Sequence, residues 1–244
     1  MSNPTVQKLV TLLACSLLFL GFPKAQAEPE FNFDVWKGVK GYYYPGFSFL
    51  NTSSLNQTLA ENNFSNYSGT FLNQAGGAHV ILDRIILGGS GHGLIGFRAA
   101  SAKGDTIAVD GGYGLLNLGY LLISNKGFNL YPTLGIGSGI MTISSSTALN
   151  KLFKFESTED IFRLNSSQII LDLGISADYM IDFNTDPQHA SGILVGLRLG
   201  FVFVPSPTQW ESNRRVFGGT TLPNLSSQGI YINLMLGGGT VREN

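Results

Sequence analysis

The run "IILDLGISADYMIDF", residues 169 to 183, alternates without a break. Ile169, Leu171, Leu173, Ile175, Ala177, Tyr179, Ile181 and Phe183 fall on one face, and Asp172, Gly174, Ser176, Asp178, Met180 and Asp182 on the other. A period of two belongs to an extended strand, because successive side chains of a strand point to opposite sides. The run also far exceeds the usual strand of about five or six residues, and exceeds the roughly nine to eleven tilted residues that cross a bilayer. One long strand with an apolar and a polar side needs neighbours of the same kind.

The sequence supplies them. "GILVGLRLGFVFV" sets Ile193, Val195, Leu197, Leu199, Phe201 and Phe203 against Gly196, Arg198 and Gly200, and "QGIYINLMLGG" sets Ile230, Ile232, Leu234 and Leu236 against Tyr231, Asn233 and Gly237. The same reading predicts eight strands, near 39–50, 70–82, 85–99, 106–122, 128–144, 166–183, 192–204 and 228–238. Their connections alternate in length. The segments 51–69 (with a helix near Ser54 to Asn62), 145–165 and 205–227 are long and 100–105 is medium, whereas Asp83-Arg84, "SNKG" and "NTDPQHAS" are short.

That layout predicts an all-β fold: a closed, antiparallel, up-and-down transmembrane β-barrel with long extracellular loops and both termini in the periplasm of a bacterial outer membrane. Closure is required because lipid offers no hydrogen-bond partner to an open strand edge. Ten strands result instead if "LFKFES" and "IFRLN" form a further hairpin; the same residues could equally extend strands five and six. Eight strands enclose a space that side chains fill, which argues against a wide diffusion pore. Tyr42, Tyr43, Tyr44, Tyr120, Tyr131, Tyr179, Phe183 and Tyr231 are the candidates for aromatic girdles at the membrane interfaces.

Composition agrees. Charged residues make up 13% of the chain, about half the ordinary share, and 31 glycines exceed it. A net charge of −1 without any run of like charge gives no footprint for nucleic acid. "MSNPTVQKLVTLLACSLLFLGFPKAQAEPE" has a single early charge, an apolar run too short for a permanent span and Ala25-Gln26-Ala27 before an acidic stretch. It predicts a signal peptide over 1–27, cleaved after Ala27, and one barrel domain over 28–244. Cys15 sits in a lipoprotein-like box, but only about five apolar residues precede it and the apolar run continues past it. Removal of Cys15 leaves no cysteine, hence no disulfide and no thiolate metal site.

The residues with chemical potential are few. Gly91, Gly93 and Gly96 spell G-x-G-x-x-G, with Asp110 ending the next apolar run. A dinucleotide site, however, needs a strand-to-helix turn inside repeated strand-helix-strand units, and "FRAASAKGD" offers at most about two helical turns. "GGSGH" also fails the nucleophile-elbow pattern, with His92 at the last glycine position. As a barrel strand, the stretch places Ser90, His92 and Arg98 inward and Ile85, Leu87, Gly89, Gly91, Gly93, Ile95 and Phe97 outward. The two-residue turn sets His79 opposite Gly88 and His92 opposite Ala75, which holds the imidazoles roughly 13 Å apart, too far for one metal. Asp172, Asp178, Asp182 and Arg198 form the other group. With residue 178 facing 198, Asp178 and Arg198 pair across the lumen wall, more naturally as interior packing than as a proton path or a hydrolytic carboxylate pair.

Three stretches, "GGYGLLNLGYLLISNKGFNLYPTLGIGSG" (111–139), "GGSGHGLIG" and "LNQTLAENNF", resemble a family of small, uncharacterised bacterial outer-membrane β-barrel proteins. The resemblance covers most of 40–143 and more loosely the rest, and implies fold and location without activity or site residues. One departure is the ending "GGGTVREN", where many outer-membrane barrels end in an aromatic residue. The Asn-x-Ser/Thr triplets at Asn51, Asn56 and Asn165 read as solvent-loop composition.

The expected function is therefore that of a non-enzymatic outer-membrane barrel with a structural, adhesive or surface-recognition role through its loops. Expected partners are outer-membrane lipids and lipopolysaccharide, the barrel-assembly machinery and an unidentified surface ligand. No catalytic residue, cofactor or metal site is assigned. The alternatives are a lipid-modifying barrel enzyme of the lipid A deacylase or acyltransferase kind, which would need a Ser or His with an acid on the rim or lipid face, and a narrow channel, which would need ten or more strands.

Overall fold

The computed structural model describes residues 36–125, 127–154, 159–183, 189–205, 209–212, 215–217 and 222–242. The predicted signal peptide lies outside them. Eight long strands form the wall: β1 (Trp36–Leu50), β2 (Thr70–Leu82), β3 (Ile85–Gly96), β4 (Thr106–Tyr120), β5 (Phe128–Ser145), β6 (Arg163–Asp182), β7 (His189–Phe203) and β8 (Gly229–Arg242). Each pairs antiparallel with its chain neighbours, and β8 pairs with β1, so the sheet closes into a barrel with no free edge among these eight strands. The register from Tyr43 runs through Gly76, Gly91, Gly114, Ser138 and Ile169. Continued around the circuit it returns to β1 displaced by about ten residues, a stagger that fits a strand tilt of about 40°.

The alternation seen in the sequence is the alternation of the wall. Along β6, Leu164, Ser166, Gln168, Ile170, Asp172, Ser176, Asp178 and Met180 are buried, while Ile169, Leu171, Leu173, Ile175, Tyr179 and Ile181 are exposed on the outside. The turn at Asp83-Arg84 is as short as predicted, with Asp83 at φ 52°, a left-handed conformation that a short acidic side chain tolerates. It fixes the expected register: His79 opposite Gly88 and Ala75 opposite His92.

One end of the barrel carries the short turns and the other the long loops. Loop 51–69 holds α1 (Ser53–Glu61), the helix expected there, and the β5–β6 connection holds a single helical turn, α2 (Leu149–Leu152). Of the two segments of the additional hairpin, Leu152 ends α2 and residues 155–158 lie outside the described residues, while Arg163 to Asn165 begin β6, so the second segment extends the sixth strand, the alternative expected for it. Two short strands, Trp210–Ser212 and Arg215–Phe217, pair with each other, and Glu211 joins them to Asn165 of β6. β3 ends at Gly96, so Arg98 is exposed at the loop end and does not enter the lumen.

At that break Tyr67 replaces ladder bonds. Its hydroxyl donates to the Val109 carbonyl at 3.1 Å and accepts from the Val109 N–H at 3.0 Å. A side chain at Gly96 would collide with this hydroxyl, which explains the glycine there.

Candidate functional site

The lumen holds two buried ion pairs, each at the hub of a hydrogen-bond network. Nearer the turn end, Asp178 accepts from Lys40 Nζ at 2.7 Å and Asn129 Nδ2 at 3.0 Å through Oδ1, and from Tyr131 at 2.9 Å and Tyr42 at 3.5 Å through Oδ2. Tyr42 also meets His79 Nε2 at 2.9 Å. In mid-lumen, Arg198 Nη2 donates to Asp172 Oδ2 at 2.7 Å, its Nε donates to the Tyr231 hydroxyl at 2.9 Å, and that hydroxyl donates to Asp172 Oδ2 at 3.1 Å. The Arg198 guanidinium also lies 5.9 Å from the ring centres of both Tyr44 and Tyr231.

Asp178 therefore does not pair with Arg198. The β6–β7 register sets Arg198 opposite Ser176, and Asp178 opposite Gly196, two residues away from the predicted alignment. Arg198 takes Asp172, and Asp178 takes Lys40 from β1 across the lumen. Asp182 ends β6 outside this group, accepting from the Ser191 N–H at 2.8 Å. Lys40, which the sequence reading did not single out, has a visible signal: it sits between outward Val39 and Gly41, and its parity is that of Tyr42 and Tyr44.

The girdle prediction divides by the same parity. Tyr43, Tyr120, Tyr179 and Phe183 are exposed on the outer wall, whereas Tyr42, Tyr44, Tyr131 and Tyr231 are buried in the lumen as hydrogen-bond donors and ring platforms. Apart from Tyr43 in mid-wall, the outward aromatics form two groups, Tyr120, Phe128, Tyr179 and Phe183 toward the turn end and Phe47, Phe49, Phe97, Phe162 and Phe203 toward the loop end. Aliphatic residues such as Leu118, Leu134, Ile175, Leu197 and Leu234 occupy the belt between them, all exposed. Apolar surface of this extent on the outside of a closed wall is the surface that meets hydrocarbon.

Glycines on the inner side make the room that the network needs. A Cβ at Gly200 would fall on the Tyr231 ring, and one at Gly196 would stand 2.9 Å from Asp178 Cβ. On the outside, Gly91 and Gly114 face open space in the wall.

His92 lies on the lumen side as predicted, 5% exposed, with its ring stacked 4.5 Å from Tyr113. Its Nε2 is 3.3 Å from Ser90 Oγ and its Nδ1 is 3.3 Å from Asn73 Oδ1. Taken alone, this Ser90–His92–Asn73 line has the connectivity of a nucleophile, a base and an orienting group. Both ends are nevertheless held by amides. Asn117 Nδ2 donates to Ser90 Oγ at 3.0 Å, and Asn73 Nδ2 donates onward to Ser48 at 3.0 Å.

The loop end is closed by an apolar plug. Leu55 and Leu59 of α1, Leu149 and Leu152 of α2, Trp210 and Leu225 pack onto the inward side chains Phe71, Val109, Met141 and Ile143. Polar bonds fix the plug: Ser53 N–H donates to Asn51 Oδ1 at 3.0 Å, Asn62 Nδ2 reaches the Leu152 carbonyl at 3.3 Å, and the Trp210 indole donates to the Pro223 carbonyl at 2.9 Å. Among the described residues no three His, Cys, Asp or Glu side chains gather as a metal site.

No family model matches the chain, and no curated protein matches it. Among solved structures it is similar to Ail, the attachment invasion locus protein of Yersinia pestis, crystallised with the heparin analogue sucrose octasulfate, at 8% identity and a TM-score of 0.43 over 85% of this chain and 99% of that one. It is also similar to Neisserial surface protein A, at 10% identity and a TM-score of 0.38 over 85% of this chain and 97% of that one.

Proposed function

We propose that the protein is an integral outer-membrane barrel without catalytic activity, whose loop end presents a fixed polar platform for adhesion, surface recognition or envelope integrity. The observation that carries this reading is the inversion of polarity: an exposed apolar belt between two aromatic groups, around a lumen occupied by buried ion pairs. A soluble barrel would do the reverse. With the mid-lumen occupied by ion pairs and its loop mouth plugged, the loop surface is what remains at that end for contact with a partner. Under this reading the belt meets membrane lipid and lipopolysaccharide, the turns and both termini face the periplasm, and insertion proceeds through the barrel-assembly machinery.

Cell fractionation followed by electrophoresis with and without boiling tests the membrane barrel. The expected result is recovery with the outer membrane and a mobility shift on heating. A soluble product without a shift overturns it. Topology is read separately on intact cells with a membrane-impermeant maleimide: Gln57→Cys in α1 should label and Ser124→Cys at the turn end should not.

The lipid-modifying enzyme is the second reading, and the Ser90–His92–Asn73 line is the observation in its favour. It requires an accessible Ser90 Oγ, whereas this hydroxyl faces the lumen between two amide-anchored partners. A fluorophosphonate probe should therefore leave Ser90 unlabelled. Labelling that His92→Ala abolishes would establish the enzyme instead.

A further inference from the structure

Among the described residues, the turn end of the lumen is not plugged as the loop end is. A cleft of about 460 Å³ opens there, with Ile81, Leu121, Met180, Ala190 and Val241 as its apolar floor. The floor lies where two small buried clusters approach each other: Ile81 and Leu121 belong to one, Met180 and Ala190 to the other, and Val241 packs against both. Its size falls within the usual range of small-ligand sites.

The rim is charged and only partly compensated. Lys37 is paired with Asp83 at 3.0 Å. Arg84, next in the same turn, lines the cleft, and among the described residues its guanidinium has no hydrogen bond or ion pair. Ser124 and Asn125 of the β4–β5 turn also line it. Asn129 closes the polar side, its Nδ2 committed to the Gly127 carbonyl at 3.3 Å and to Asp178 at 3.0 Å. An apolar floor, neutral donors and one uncompensated guanidinium match a ligand with an apolar body and a single planar anionic head, which guanidinium recognises through paired N–H groups.

We propose that the turn-end cleft binds a small amphiphilic carboxylate, its hydrocarbon part against Met180 and Val241 and its carboxylate at Arg84. The site is independent of the loop platform, because it opens at the opposite end of the barrel and shares no residue with the apolar plug.

The methionines give a direct readout. Met180 lines the cleft, whereas Met141 is buried in the loop-end plug. The protein, labelled at its methionine methyl groups and held in detergent micelles, is titrated with hydrocinnamate and, in parallel, with the neutral hydrocinnamyl alcohol. The expected result is a saturable shift of the Met180 methyl signal with an unmoved Met141, and an affinity for the alcohol roughly five- to ten-fold lower. Arg84→Gln, an exposed change, should weaken carboxylate binding by a similar factor, and Val241→Trp should abolish the shift by filling the floor. Ala190→Leu, also in the floor, serves the same purpose if the tryptophan variant does not fold. The proposal is overturned if Met180 shows no saturable shift, if Met141 moves with it, or if Arg84→Gln leaves the affinity unchanged.

Discussion

Arg198 shows how much the interior of a small barrel depends on single residues. It is 3% exposed and holds Asp172 and the Tyr231 hydroxyl through separate nitrogens. Breaking a buried ion pair by removing one partner costs about 3–5 kcal/mol, because the other charge stays in a low dielectric. Arg198→Met should lower the stability of the barrel in micelles by that order, seen as a lower midpoint for the loss of heat-modifiable mobility. The double change Arg198→Met, Asp172→Leu should recover much of the loss, since replacing both partners with apolar groups removes the stranded charge. Equal midpoints for the single variant and the parent would mean that the pair contributes nothing. The partner itself was not readable from sequence. Alternation tells which face a residue takes, but the observed register sets Arg198 opposite Ser176, two residues from Asp178 and four from Asp172, so the partner is decided by where side chains meet inside the lumen, where Lys40 takes Asp178. The β2–β3 register was readable because a two-residue turn leaves no freedom, whereas β6 and β7 are joined by a longer connection.

Whole strands were legible for the same reason: all eight run long enough for alternation to stand out, and their observed ends lie within a few residues of the predicted ones. The elements that were not legible are those without a period. The "LFKFES" and "IFRLN" segments are apolar enough for a hairpin, yet burying Leu149, Leu152 and Phe153 against the loop plug satisfies the same hydrophobicity with one helical turn. Tyr67 belongs to this scale too, because a single hydroxyl fastens loop 51–69 to β4 where β3 has ended. Tyr67→Phe leaves the Val109 N–H and carbonyl without that partner, at about 1–3 kcal/mol. Loosening should be local, visible as faster hydrogen exchange in α1 with the wall strands unchanged; no change in α1 exchange would remove the hydroxyl from the account. Burial pushes the Tyr67 phenol up to about 12. Its folded value lies above the unfolded value of about 10, so its contribution is complete below about pH 10 and is lost as the pH rises through about 12. Exchange protection of α1 should fall in that window in the parent and show no such step in Tyr67→Phe.

For the molecule as a whole, the decisive property is which surface is apolar, and a charge placed on the belt measures it. Leu134 faces outward among the aliphatic residues between the aromatic groups. Leu134→Arg should cost about 2–4 kcal/mol in refolding into bilayers if the belt is in hydrocarbon, against about 0–1 kcal/mol for Ser144→Arg close to the loop end. Equal costs would place both positions in the same medium and end the membrane assignment.

The lumen obeys a second rule that holds from end to end: it is obstructed twice, by different chemistry. At the loop end Leu55, Leu59, Leu149 and Trp210 form an apolar seal, and in mid-lumen Arg198, Asp172, Tyr44 and Tyr231 form a polar one. An ion that passed the first would have to displace a hydrogen-bonded ion pair to pass the second. The parent should therefore give no conductance steps in a planar bilayer. Leu59→Asp, which wets the plug, should still give none. Only when the plug is disrupted together with Arg198→Ala, which empties the mid-lumen, should small steps emerge. Steps from the parent would restore the narrow channel as its function, and steps from Leu59→Asp alone would show that the Arg198 network is no barrier and that the plug is the gate.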